Sequence, residues 1–234
     1  MLNIKRSHLL DFPTRCARIA CQAPLLLLTY LCLFCFAAPV QAQEKKTDFV
    51  EKWIDQNQFN ELKQGGFVLY LRHGTTDNSR DDAAPITDYA NCETQRILNE
   101  DGRKLAVRIG VLLKRAKIPI AQVFHSPLCR ARETAELAFP HMAKQLQSTL
   151  SLASSSNFTS AEKVPLQRDS RKLILSALPD DTNRVLVSHA PNLFDLIGYF
   201  VKPEGTIVVL RVIEKDHIEY VGSIPPKLLE QLAK

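Results

Sequence analysis

Three short runs constrain this chain more than any other feature. VLYL (68–71), VFHS (123–126) and VLVS (185–188) each read as a buried strand. Each then runs, with no turn residue between, into groups that resist burial. Arg72-His73-Gly74 follow the first, Pro127-Leu128-Cys129-Arg130 the second and His189-Ala190-Pro191 the third. Helical patterns separate the strands. That alternation predicts an α/β domain, a three-layer α/β/α sandwich with a mostly parallel central sheet. In such sheets ligands bind in the crevice outside the carboxyl ends of the strands. Two arginines and two histidines, distant in sequence, are therefore expected to meet in one place.

Such a cluster calls for an anion. Guanidiniums and imidazoles crowded together repel one another unless negative charge lies among them. The planar arginine fork grips phosphate or carboxylate oxygens two at a time. Ser126 is read as the cap and Pro127 as the first residue of a helix reaching about Phe139, which would add backbone N–H groups on the same side. Gly74 is expected to let a ligand approach closely. Arg80 and Arg96 flank the loop after the first strand, within reach of the same place.

The remaining elements follow from period and caps. Residues 47–66 pattern as an amphipathic helix stopped by Gly65-Gly66. Asn99 caps a helix with Glu100 and Asp101 in its first turn and a buried stripe of Leu105, Ile109, Leu112 and Ala116. Residues 75–98 read as a loop, and 140–168 give no clear pattern. A helix is expected over 170–178 and another after Pro191, followed by two strand-like runs, TIVVLRVI and HIEYVG. His125, His141 and His217 have no motif around them and read as structural. No metal-ligand spacing joins His73, His125 and His189, so no metal or other cofactor is expected.

The first 42 residues differ in kind. A basic segment precedes an apolar run of roughly fifteen residues, short of the about twenty that span a bilayer. Val40 and Ala42 stand where a signal peptidase reads small residues. The expected boundaries are a signal peptide over 1–42, a helical extension over 43–65 and the main domain over 66–234. The product would be exported, into the periplasm in a bacterium, with no stable membrane insertion after cleavage. An uncleaved N-terminal anchor is the rival reading. The net charge is +5, of which +3 falls in residues 1–42. The remaining +2 is too small for a nucleic-acid partner. Four of the six cysteines also lie in that leader, leaving Cys92 and Cys129. In an oxidising compartment these form a bridge or remain two separate buried thiols.

The chain resembles the histidine phosphatase superfamily, the phosphoglycerate mutase-like proteins. An R-H-G strand end is matched by Arg72, His73 and Gly74. The pattern S-P-x-x-R-A-x-x-T-A is matched by Ser126, Pro127, Arg130, Ala131, Thr134 and Ala135. A strand ending in S-H is matched by Ser188 and His189. R-H-G alone is a weak signal; three motifs in order, each after a strand, are specific. The segment NCETQRILNEDGR (91–103) is similar to an exported bacterial branch, in which Cys92 and Cys129 would be partners. The resemblance implies a phosphoglycerate mutase-like fold over about 64–224 and a metal-independent phosphatase. His73 would take the phosphoryl group covalently, while Arg72, Arg130 and His189 hold its oxygens. The partner would be a small phosphorylated compound, for which the compartment suggests an envelope sugar phosphate.

One part of the pattern is missing. Related mutases place an acidic residue after the second motif to protonate the leaving oxygen, and this chain offers only Glu162 there. Asp77, four residues beyond His73, is the other candidate. Without an acid, leaving groups that need no proton would be favoured, or the chain would bind phosphorylated ligands without turning them over.

Overall fold

The computed structural model describes residues 49–234. Expectations for a signal peptide, an anchor and the start of the extension lie outside those residues. Six strands form one mixed sheet: β1 (Phe67–Arg72), β2 (Ile120–His125), β3 (Leu146–Ser148), β4 (Asn183–Ser188), β5 (Ile207–Glu214) and β6 (His217–Ile224). Their order is β3-β2-β4-β1-β5-β6. β3, β2, β4 and β1 run parallel to one another, while β5 pairs antiparallel with β1 and β6 antiparallel with β5. The helices are α1 (Gln56–Glu61), α2 (Glu100–Arg115), α3 (Cys129–Ala138), α4 (Ser160–Leu175), α5 (Ala190–Ile197) and α6 (Pro226–Leu232).

The central strands are apolar without interruption because helices cover both faces. Side-chain alternation sorts β1 between two cores. Phe67, Leu69 and Leu71 pack with Ile109 and Leu113 of α2 and Ala131 and Ala135 of α3. Val68 and Tyr70 pack with Ile174 of α4 and Leu193 of α5. α2 begins as its sequence demands: the Asn99 side chain accepts the Gly102 N–H at 2.8 Å. Acidic residues open this helix and Lys114 and Arg115 close it, matching its dipole.

Three expectations change. The helix over 47–66 shrinks to α1 and a 3-10 turn, Leu62–Gln64. Before it the chain is extended against β6: Ser223 N–H donates to Lys52 O at 2.8 Å, and Trp53 pairs with Ser223. Sheet-edge hydrogen bonds there replace the helical ones, and Asp55 caps what remains. Secondly, α3 starts at Cys129 with Leu128 as its cap residue, two positions after the predicted start. The Ser126 hydroxyl accepts the Leu128 N–H at 3.2 Å. Thirdly, α4 begins ten residues earlier than its apolar pattern announced. A reciprocal Thr159–Glu162 capping box starts it and Pro165 lies inside it. Glu162 is therefore a helix cap, exposed and occupied with Thr159.

Candidate active site

Register creates the site. β1 and β4 are parallel with Arg72 level with Ser188, so His73 and His189 fall side by side just beyond the ladder. Neighbouring strands lie about 4.8 Å apart, and the two imidazole centroids are 5.1 Å apart. β2 lies on the other side of β4, with His125 level with Val187. The chain leaving β2 therefore delivers Ser126 and then Arg130 to the same edge. Backbone bonds lock the convergence: His73 N–H donates to Ser188 O at 3.1 Å and Ser126 N–H to Val187 O at 2.9 Å. The hydroxyl of Tyr70 donates to His189 O at 2.6 Å.

Arg72, His73, Arg130 and His189 line one cleft of about 380 Å3. His73 is 2% exposed and its Nδ1 lies 2.9 Å from Gly74 O. A carbonyl can only accept, so Nδ1 carries the hydrogen and Nε2 keeps its lone pair. Burial, and then the charge of Arg130, push the His73 pKa well below that of an ordinary histidine. The ring is thus neutral and nucleophilic. His189 is also held neutral by burial and by Arg130. Its Nε2 is 2.8 Å from the Ser126 hydroxyl.

Several buried donors in this cleft have no partner among the described residues. Arg72 Nε, Arg130 Nε, Asn157 Nδ2 and His189 Nδ1 all belong to residues lining it. Buried N–H groups are normally satisfied, so donors left open together mark the place of an acceptor-rich anion. Arg72 is oriented from behind: Nη1 donates to Val201 O at 2.8 Å, and Nη2 pairs with Glu204 at 3.3 Å. The Glu204 carboxylate also accepts the Thr76 hydroxyl and Thr76 N–H.

The other predicted residues fall into different positions. Gly74 clears a helix and is not among the residues lining the cleft: a Cβ there would come within 2.6 Å of Gly102 O. Its N–H donates to the Thr134 hydroxyl at 3.0 Å, and that hydroxyl donates to Arg130 O at 2.6 Å. Thr134 thereby ties the nucleophile's turn to the arginine's helix. Ser126 is fully buried and orients His189. The amides expected to be open at this helix start are taken, Leu128 N–H by Ser126 and Cys129 N–H by Gln95 at 2.9 Å. The Asp77 carboxylate is occupied with Ser79, at 2.9 Å from its N–H and 2.7 Å from its hydroxyl, and does not line the cleft. Cys92 and Cys129 are bonded. His125 is buried against Ser126 O, whereas His141 and His217 are exposed.

Sequence reasoning missed Asp82, Glu204 and the turn Ser154–Ser156–Asn157. Asp82 is bidentate on Arg130, at 2.8 and 2.9 Å. Neither acid sits in a period or a motif, and the turn lies in the patternless segment after β3. Its one legible signal was the concentration of serine.

Fold and site together define an α/β protein with an uncharged, oriented imidazole set among open buried donors. The profile of the histidine phosphatase superfamily (branch 1) matches residues 68–153, which contain Arg72, His73 and Arg130. Over those residues the chain resembles that superfamily. Its fold is similar to phosphoglycerate mutase from Bacillus anthracis str. Sterne, with 15% identity and a TM-score of 0.52 over 74% of this chain and 100% of that one. It is also similar to Bacillus stearothermophilus YhfR, with 15% identity and a TM-score of 0.50 over 67% and 95% of the two chains. The protein histidine phosphatase SixA, in a structure complexed with tungstate, gives 19% identity and a TM-score of 0.49 over 70% and 99%. No curated protein matches the sequence.

Proposed function

We propose that this protein is a phosphatase that hydrolyses phosphomonoesters or similar phosphorylated compounds through a phosphohistidine on His73. The observation that carries the reading is the neutral His73 ring, with Nδ1 tied to Gly74 O, set among open donors of Arg72, Arg130 and His189. In the first step Nε2 attacks phosphorus and the ester oxygen departs. In the second, water attacks phosphorus and the imidazole leaves. Dividing one hard displacement into two easier ones is the advantage of a covalent route. The two guanidiniums and His189 Nδ1–H neutralise charge on the equatorial oxygens, which lowers both barriers. The protein groups supply this positive charge themselves, and the proposed mechanism calls for no metal.

The substrate is proposed to be a small polyol or sugar phosphate. Ser154, Ser156 and Asn157 set hydroxyl and amide groups on the cleft wall, and Phe200 offers a half-exposed ring on which a sugar can stack. The leader-like residues 1–42 support an exported, periplasmic site of action, where envelope sugar phosphates would be available.

The test is a chemical trap. Protein incubated with radiolabelled substrate and quenched in alkali should carry acid-labile label on His73. The His73→Ala variant should lose both label and turnover. Unchanged hydrolysis by that variant would overturn the assignment. Phosphate raising the melting temperature, with no release from any ester, would favour a non-catalytic binder instead.

A further inference from the structure

The loop from β1 to α2 holds an aspartate with no part in the steps above. Asp82 meets Arg130 fork to fork, Oδ1 at 2.8 Å from Nη1 and Oδ2 at 2.9 Å from Nη2. Oδ1 also accepts the Arg96 backbone N–H at 2.8 Å. The Arg130 side chain is 3% exposed and that of Asp82 is 15% exposed. The arginine therefore lies deeper and the carboxylate nearer the mouth of the cleft that both residues line. Arg130 Nε has no partner among the described residues, so a phosphoryl group gripped through that nitrogen would share one guanidinium with the Asp82 carboxylate.

We propose that Asp82 is the general acid of this site, protonated in response to the substrate itself. The proposal rests on the phosphatase reading. When phosphoryl oxygens join it on Arg130, Asp82 shares its counter-ion with a dianion, and the added negative charge makes it take up a proton from solvent. It then stands on the outer side of the phosphoryl group, where the ester oxygen must point because the rest of the substrate extends toward the mouth. The lone pair of His73 Nε2 forms the N–P bond and the P–O ester bond breaks. The departing oxygen keeps that electron pair and receives the Asp82 proton, leaving a neutral alcohol and a carboxylate. In the second step the carboxylate takes a proton from water as its oxygen bonds to phosphorus. The N–P electrons return to the imidazole.

The surroundings support this role. Arg130 faces Asp82 from α3, Arg96 from its own loop and Asp81 from beside it in sequence, while Arg72, His73 and His189 line the cleft opposite. In the free protein burial pushes the Asp82 carboxyl up, but the hydrogen bonds and charge of Arg130 outweigh this and hold it below the ordinary range. It is ionised until the dianion arrives. Three other acids are engaged elsewhere. Asp77 holds Ser79 and Glu162 caps α4. Glu204 holds Thr76 and lies 3.9 Å from Nδ1 of His73, on the side of the ring away from the attacking nitrogen.

Leaving-group dependence separates an acid from a counter-ion. Turnover of p-nitrophenyl phosphate, whose phenolate leaves without a proton, is compared with that of an alkyl phosphomonoester. Asp82→Asn should lower kcat on the alkyl ester by about 100-fold or more and on the nitrophenyl ester by less than about tenfold. Asp82→Glu should recover part of the alkyl activity. Equal loss on both esters, equal gain on both, or a selective loss in Asp81→Asn in its place would overturn the proposal. If Asp82→Asn does not fold, the unmutated protein still decides. Its kcat should fall at high pH for the alkyl ester and not for the nitrophenyl ester, and identical profiles would overturn the assignment. Absence of turnover and of His73 label in the unmutated protein sinks the phosphatase reading and the acid with it. Turnover with parallel losses sinks only the acid.

Discussion

The Ser126 hydroxyl lies 2.8 Å from Nε2 of His189 and accepts the Leu128 N–H at 3.2 Å. One lone pair is thus used by the backbone, and the hydroxyl hydrogen is free to be given to the imidazole. That arrangement leaves the hydrogen of the ring on Nδ1, the nitrogen without a protein partner.

Ser126→Ala removes this tautomer control without touching the phosphoryl group. A net hydrogen bond is worth about 1 kcal/mol, roughly fivefold in rate. Steady-state kinetics should show kcat down about fivefold with KM little changed. An unaltered kcat would mean that the hydroxyl does not set the proton on His189.

Arg130→Lys keeps the charge and loses the planar fork. Lysine cannot hold two oxygens at fixed spacing, nor can it keep the bidentate contact with Asp82. Loss of one preorganised donor to a transition-state oxyanion costs about 100- to 1000-fold in kcat. The rise in melting temperature caused by inorganic phosphate should shrink in parallel, which differential scanning would measure.

Gly102→Ala pits two effects against each other. Alanine favours a helix by about 1 kcal/mol over glycine. Its Cβ, however, would lie 1.9 Å from Thr75 O, next to the turn that carries His73. Overpacking typically costs about 1–3 kcal/mol and moves backbone. The clash should win: urea unfolding should show a less stable protein, and activity should fall because the nucleophile's turn is displaced. A stabilised, fully active variant would contradict the packing.

The Cys92–Cys129 bond spans a sequence separation of 37 and anchors the loop bearing Arg96 and Asp82 beside Arg130. The loop-entropy model gives such a bridge about 4 kcal/mol of stability. Reduction should lower the urea midpoint accordingly. Loss of activity should occur at lower urea than loss of helical circular dichroism, because the loop is released before the sheet melts.

Stability should also respond to pH through the two buried rings. His73 and His189 have pKa values depressed mainly by burial and then by Arg130. Both are neutral in the fold and free to charge when unfolded. Their contribution is complete above the unfolded value of about 6.5 and is lost as pH falls below it. The depressed carboxyl of Asp82 adds a further loss below about pH 4. The urea midpoint should be level from pH 8 to 7 and decline toward pH 5; a level midpoint through pH 5 would mean the rings are already charged in the fold.

Residues whose role is local were legible in the chain. Val68–Leu71 and Val185–Val187 announce strands buried on both faces, and Asn99 with Glu100 announces a helix start, because neighbours in sequence determine those choices. Arg72, His73, Arg130 and His189 were legible for the same reason: each follows a strand end, and parallel pairing carries strand ends to one edge. The sequence could not say that Lys52 and Trp53 would pair with β6 rather than coil, since a hydrogen-bonding sheet edge exists only after folding. Nor could it reveal that Gly74 makes room for α2, that Glu204 braces Arg72, or that Asp82 occupies the fork of Arg130. Those contacts join positions far apart through loops without period, and loop placement is decided by which distant charges and donors remain to be satisfied once the sheet has closed.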